Sequence, residues 1–125
     1  MNYLLDTHVI IWHFQDDHQL NQKVRDSMDD PGNDLFISPV SLWEIVIKAS
    51  LGKLNLSFDK LLLQLKNVDF TILPIETKHL AYLQSLPFFH KDPFDRLIIS
   101  TAIVEDMVIL TNDGDIQKYH VSWVW

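Results

Sequence analysis

The chain has 125 residues with no cysteine, 10 Lys and Arg against 17 Asp and Glu, and a formal net charge of −7. That length is one domain, 1–125, able to bury a core. The missing cysteines exclude a disulfide framework and thiolate chemistry, and the acidic balance has the wrong sign for gripping nucleic acid by bulk charge. A nucleic-acid enzyme with its acids gathered around divalent cations stays open, because bound cations reverse the local field. No apolar run approaches the roughly 18 residues of a membrane span, and no leader pattern precedes Tyr3, so a cytoplasmic protein without membrane contact is expected.

Tyr3-Leu4-Leu5 is a short apolar run ending at Asp6, and Val9-Ile10-Ile11-Trp12 follows closely. This reads as a strand leading through a turn into a helix, with Asp6 at the strand's carboxyl end. After the polar break Asp16-Asp17-His18, the residues Leu20, Val24 and Met28 take the spacing of one helix face. Asp30-Pro31-Gly32-Asn33 closes that helix with turn residues.

Leu35-Phe36-Ile37 is the second strand. Ser38-Pro39 then opens a helix, since a serine oxygen accepts from free N–H groups and proline loses no bond at the first helical position. This helix carries Leu42, Trp43, Ile45, Val46 and Ala49 and stops at Gly52. Glu44 lies inside it with Val40, Trp43 and Ile47 at helical spacings, an uncommon setting for a carboxylate with nothing to bind. A solvated helix edge accounts for a single Glu equally well. Trp12, Phe14 and Trp43 are read first as core, with a partner-binding groove as the alternative for some of them.

Ser57 caps the next helix, whose buried face is Phe58, Leu61, Leu62 and Leu65. Phe70 to Leu73 is a third strand stopped by Pro74, and Thr77 to Leu86 reads as a helix. In His90-Lys91-Asp92-Pro93-Phe94-Asp95-Arg96, Asp92 is the N-cap, Pro93 the first helical residue and Asp95 the third, in a helix running to about Glu105. Acids in a first turn are ordinarily caps and dipole partners, the preferred reading for Asp92. The strand Met107 to Leu110, the turn Thr111-Asn112-Asp113-Gly114-Asp115, a short helix through Tyr119 and a last strand, Val121 to Val124, complete the chain.

Strands alternating with helices imply right-handed crossovers and a three-layer α/β/α domain with a mostly parallel central sheet. The functional crevice of such a sheet lies at the carboxyl ends of its strands. Asp6, Glu44, Asp95 and Asp113 all fall at that edge. Four carboxylates there raise one another's pKa and oppose folding. A hard divalent cation removes the conflict, and oxygen-only ligands suit Mg2+ or Mn2+. The implied chemistry is phosphodiester hydrolysis by a metal-activated water.

Competing motifs are poor. Three glycines form neither a dinucleotide loop nor a phosphate-cradling loop. Asp6-Thr7-His8 lacks the second aspartate of aspartyl-phosphate phosphatases, and a phospho-receiver would need an acceptor aspartate where Leu73 leads into Pro74-Ile75. Of the six histidines, none forms an i, i+4 ligand pair. His8 adjoins the acids, His90 is open, and His13, His18, His79 and His120 are read as surface or turn residues.

Leu4-Leu5-Asp6-Thr7-His8, Ser38-Pro39-Val40-Ser41-Leu42-Trp43-Glu44-Ile45, His90 to Leu97, Thr111-Asn112-Asp113 and the closing Tyr119 to Trp125, taken in order, carry a family resemblance. The chain resembles the PIN-domain ribonucleases, and among them the VapC toxins of type II toxin–antitoxin pairs. The resemblance implies that Asp6, Glu44 and Asp95 are the core metal ligands and that Asp113 completes the quartet, with Asp115 an alternative for that fourth place. It implies a Mg2+- or Mn2+-dependent endoribonuclease, a homodimer, inhibition by a cognate antitoxin and an RNA substrate such as tRNA or ribosomal RNA. Thr7 and Thr111 are the hydroxyls expected to orient a carboxylate or a metal-bound water, and Asp92 is a supporting residue if it is not simply a cap. Arg96 is read first as a surface arginine paired with an acid, second as a cation held near the quartet. The competing function is a PIN-fold protein-binding module with weak or no nuclease activity.

Overall fold

Two apolar cores lie on opposite faces of one sheet, and the alternation of side chains along each strand creates them. In the computed structural model, which describes residues 1–125, β1 is Asn2–Leu5, β2 Asp34–Ile37, β3 Phe70–Ile72, β4 Val108–Leu110 and β5 Trp123–Val124. Tyr3, Leu5, Leu35, Ile37 and Leu110 point into one core, while Leu4, Phe36 and Ile109 point into the other. The strand order is β3-β2-β1-β4-β5, and every pairing is parallel.

Helices α1 (Thr7–Phe14), α2 (Gln22–Asp29), α3 (Pro39–Ser50) and α4 (Phe58–Asn67) send Ile10, Val24, Ile45 and Leu61 into the first core. Helix α6 (Pro93–Glu105) closes the second with Ile98, Ile99 and Ala102, and α5 (Thr77–Leu83) packs against it. Helices on both faces of a parallel sheet make three layers. Both faces of the sheet are therefore buried, which is why the strands read as apolar runs rather than alternating ones.

The strand order explains where a site forms. From β1 the chain winds outward through β2 to β3, then returns through α5 and α6 to the other side of β1. The reversal falls between β1 and β4, and in such sheets the carboxyl ends of the two strands flanking it splay apart and leave a crevice. Helix α6 delivers the chain there. Asp92 caps it, accepting N–H bonds from Phe94 (2.9 Å) and Asp95 (3.1 Å), and Pro93 occupies the first turn. Its other end closes on Asp106 in the left-handed region at φ 54°, which turns the chain directly into Met107 and β4.

Several expectations change. Helix α5 stops at Leu83 rather than Leu86, because a residue before proline is disfavoured in helical geometry and Ser85 and Leu86 close i→i+3 turns before Pro87. The last strand is confined to Trp123–Val124. Trp43 is not core: it is 60% exposed on α3, its ring edge resting on Phe94 at 5.0 Å. His79 is fully buried, because it sits between α5 and α6 with polar partners for both ring nitrogens.

Leu4, on the central strand and fully buried, tests the packing. We expect Leu4→Ala to cost about 2–5 kcal/mol in urea unfolding. Asn21→Ala, which removes the α2 cap that accepts from Val24 N–H at 2.8 Å, should cost about 1 kcal/mol.

Candidate active site

Backbone pairing across the switch point sets the first two groups. The N–H of Asp6 donates to the carbonyl of Leu110 at 3.1 Å, continuing the β1–β4 ladder by one residue. That register places the Thr111 hydroxyl against the Asp6 carboxylate, to whose Oδ2 it donates at 2.8 Å. Asp6 stands at the N-cap position of α1 yet makes no side-chain cap bond, so its carboxylate turns toward β4 instead. The same Thr111 oxygen accepts the N–H of Asp113 at 3.0 Å, folding the loop after β4 back over the crevice.

Asp6 and Asp95 are buried, and the four acids sense one another. Burial pushes the Asp6 carboxyl above its ordinary range; the Thr111 hydroxyl and His8 oppose that rise, while Asp113 and Glu44 add to it. Burial likewise drives Asp95 up to about 8, with the charges of Asp92, Asp6, Asp113 and Glu44 adding in that order. Asp6, Glu44, Asp95 and Asp113 thus form one electrostatic unit. Asp6 and Asp113, with His8, Trp12 and Asn112, line a small cavity of about 180 Å3 that opens beside it.

Glu44 is the most telling member. Its side chain is only 12% exposed; Oε2 meets Lys48 at 3.3 Å, and the buried Oε1 has no hydrogen-bond partner at all. A buried carboxylate oxygen left unpaired costs folding free energy, so such atoms are uncommon without a ligand to explain them. An oxygen-rich set of acids with an orphaned donor and two raised carboxyls fits a small hard cation. The positive ends of α1 and α6, at whose first turns Asp6 and Asp95 lie, offset only part of the negative charge.

The remaining candidates separate cleanly. Asp115 faces solvent and pairs with Lys118 at 2.9 Å, and its N–H donates to Asp113 Oδ1 at 2.8 Å; it supports Asp113 rather than joining the buried acids. The Thr7 hydroxyl donates to Ser41 Oγ at 3.0 Å and ties α1 to α3 one turn before Glu44, so it does not reach a carboxylate. Asp92 is the α6 cap and also the charge that raises Asp95 most after burial. Arg96 is not the surface arginine expected: it is 4% exposed and pairs with no acid, because Pro87 and Leu86 carbonyls and the Tyr119 hydroxyl take its donors. His90, left open by the sequence, lies with Nε2 3.1 Å from Asp95 Oδ2, and Tyr119, given no role by the sequence, stands behind it.

Elsewhere, Glu76, His79 and Glu105 bring ligand atoms within 4.8 Å of one another. The polar groups of this second cluster are paired with one another. His79 Nδ1 accepts the Glu76 N–H at 3.0 Å, so Nε2 carries the proton donated to Glu105 at 2.8 Å, and Lys78 reaches Glu105 at 2.9 Å. Glu105 Oε1 thus has two partners where Glu44 Oε1 has none.

The raised carboxyl makes a measurable difference. An unfolded aspartate releases its proton near 3.9, whereas folded Asp95 holds it to about 8. Between those values the folded state binds more protons, so without divalent cation stability falls as pH rises through the window. We expect Asp95→Asn to flatten that fall and to raise the melting temperature in EDTA near pH 8 by about 4 °C or more, the effect of about 1 kcal/mol. Identical pH profiles for the two proteins would show that Asp95 is not strained.

Comparison with known proteins places this geometry. The sequence model of the PIN domain matches residues 3–121. Solved structures of similar fold include a chain of VapBC2 from Rickettsia felis bound to a promoter DNA fragment, with TM-score 0.75, 18% identity and coverage of 99% of this chain and 98% of that one. FitAcB from Neisseria gonorrhoeae gives TM-score 0.71 at 21% identity over 98% and 96%. VapBC-1 from nontypeable Haemophilus influenzae gives 0.66 at 19% over 99% and 97%. No curated protein matches the sequence significantly. With nearly the whole chain matched and the acids at the switch point of a five-stranded parallel sheet, this protein belongs to the PIN-domain family.

Proposed function

We propose that this protein is a metal-dependent endoribonuclease, using Mg2+ or Mn2+, and the toxin of a type II toxin–antitoxin pair. The observation that carries the reading is the unpartnered Oε1 of Glu44, buried in the same electrostatic unit as three further carboxylates. Asp6, Glu44, Asp95 and Asp113 are the residues that would hold the cation. When bound, it supplies an activated water and stabilises the charge developing at phosphorus. The chain's own part is to position. Thr111 restrains one oxygen of Asp6, Asp92 fixes the start of α6 and hence Asp95, and Asp113 is held by its two neighbours in the loop.

No protein nucleophile is needed, and the net acidity of the chain is no obstacle once the site itself is neutralised. The similar VapBC and FitAcB structures support an antitoxin as partner, as do the exposed apolar side chains Trp43, Phe88 and Phe89. A homodimer acting in the cytoplasm completes the proposal. No helix is long and apolar enough to cross a membrane.

We expect the purified protein to cleave labelled RNA with Mg2+ or Mn2+ and not in EDTA, and its expression to arrest growth. Asp6→Asn and Asp95→Asn should each lower cleavage at least about a hundredfold, as loss of a preorganised charged group does. Equal growth arrest by wild type and both variants would refute the site. Absence of binding heat with millimolar Mn2+ would favour the protein-binding module.

A further inference from the structure

Behind Asp95 runs a chain of hydrogen bonds whose direction can be worked out from its far end. Arg96, buried on α6, is a donor only. Its Nη1 donates to the Pro87 carbonyl at 2.7 Å and the Tyr119 hydroxyl at 3.0 Å, its Nη2 donates to the Leu86 carbonyl at 3.1 Å, and its Cζ sits 3.7 Å from the centroid of the Phe88 ring. The His90 N–H also points at the Tyr119 oxygen, at 3.3 Å. A phenol oxygen donates one hydrogen bond and accepts at most two. Both acceptor places on Tyr119 are therefore filled by N–H groups.

The Tyr119 proton must go outward, and two acceptors are in reach: His90 Nδ1 at 2.8 Å and the His90 carbonyl at 3.4 Å. The shorter contact takes it. Nδ1 then holds the lone pair, so Nε2 carries the imidazole proton, and Nε2 lies 3.1 Å from Asp95 Oδ2. The reverse arrangement, with Nδ1 protonated, would press a third N–H onto the Tyr119 oxygen. The residues are also sterically fixed: Tyr119 is buried, with Phe89 and His90 rings at 5.0 and 5.4 Å.

We propose that Arg96, Tyr119 and His90 form a positioning relay: Arg96 orients the Tyr119 hydroxyl, the hydroxyl fixes His90 as its Nε2–H tautomer, and that N–H pins Oδ2 of Asp95. Asp95 Oδ1 is then the oxygen left for the metal. The metal part of this inference rests on the reading of Asp95 as a ligand. Hydrogen bonds of this kind, one residue behind the ligands, set ligand orientation and metal affinity. The relay gives buried Arg96 a role that surface pairing did not, and it runs through two aromatic residues lying outside the acidic quartet.

Nitrogen-resolved NMR of 15N-histidine-labelled, metal-free protein reads the tautomer directly, with His90 assigned by its loss in His90→Gln. The relay requires a bare Nδ1 and a protonated Nε2 in wild type; a protonated Nδ1 overturns it whether or not metal binds. Tyr119→Phe keeps the ring and removes only the hydroxyl. It should convert His90 to a mixture of tautomers and weaken Mn2+ binding in calorimetry about ten- to a hundredfold. In a His90→Gln background, where the donor amide has no tautomer to choose, Tyr119→Phe should have little further effect on Mn2+ affinity, an outcome that a merely structural tyrosine would not give. Unchanged Mn2+ affinity in Tyr119→Phe despite a lost tautomer preference would overturn the positioning role. Wild-type protein that binds no Mn2+ at millimolar concentration would instead remove the metal-dependent reading of the site, and with it the metal role of the relay.

Discussion

The parallel pairing of β1 with β4 is the contact on which the site depends. Leu5 stands opposite Leu110, so the next residues, Asp6 and Thr111, leave the sheet side by side. One backbone bond and one side-chain bond lock that exit. A slip of a single residue would turn Leu4 and Leu5 onto the wrong faces and carry Asp6 away from Thr111. Register therefore fixes core and site together. The apolar strands supply the energy, and the acids are held wherever the strands end.

The site stands against that energy rather than contributing to it. Asp6 and Asp95 are buried with raised carboxyls, and Glu44 keeps an oxygen without a partner. Around Glu105 the same residue types behave otherwise: His79 and Lys78 hold that carboxyl below its ordinary range. The two acidic clusters of one fold therefore differ in their partners: Glu105 meets a lysine and a histidine, whereas one oxygen of Glu44 meets nothing. The packing that tolerates it is extensive, with Leu4, Leu5, Ile98, Ile99, Ile109 and Leu110 fully buried beside or beneath the acids.

Helix α6 connects the two regions. Asp92 and Pro93 start it, Asp95 faces the quartet, Arg96 turns to the hydroxyl of Tyr119, and Glu105 at its last residue closes on His79. Adjacent residues on a helix point about 100° apart. That angle lets Asp95 and Arg96 serve opposite ends of the same hydrogen-bond chain without meeting each other. Loops on either side, carrying His90 and Tyr119, are thereby fastened to a single rigid element.

Much was legible from the chain alone. Apolar runs ending at Asp6 and in Thr111-Asn112-Asp113, the Ser38-Pro39 and Asp92-Pro93 helix starts, and the βα alternation follow local rules of backbone geometry, and they located four acids at one sheet edge. What local pattern left open was decided by contacts between residues far apart in sequence. Asp113 and Asp115 are indistinguishable in the turn; only folding pairs one with Lys118 and turns the other toward Asp6. Trp43 reads as core because it is apolar, yet on α3 it is 60% exposed beside Phe94. His79 reads as surface because it is polar, yet α5 packs it on Glu105, 26 residues away. Arg96 has its hydroxyl partner 23 residues distant, and His90 has its own at 29. Periodicity and capping report which backbone a segment adopts, whereas a polar side chain's partner is a matter of three-dimensional proximity, and only the tertiary structure supplies it.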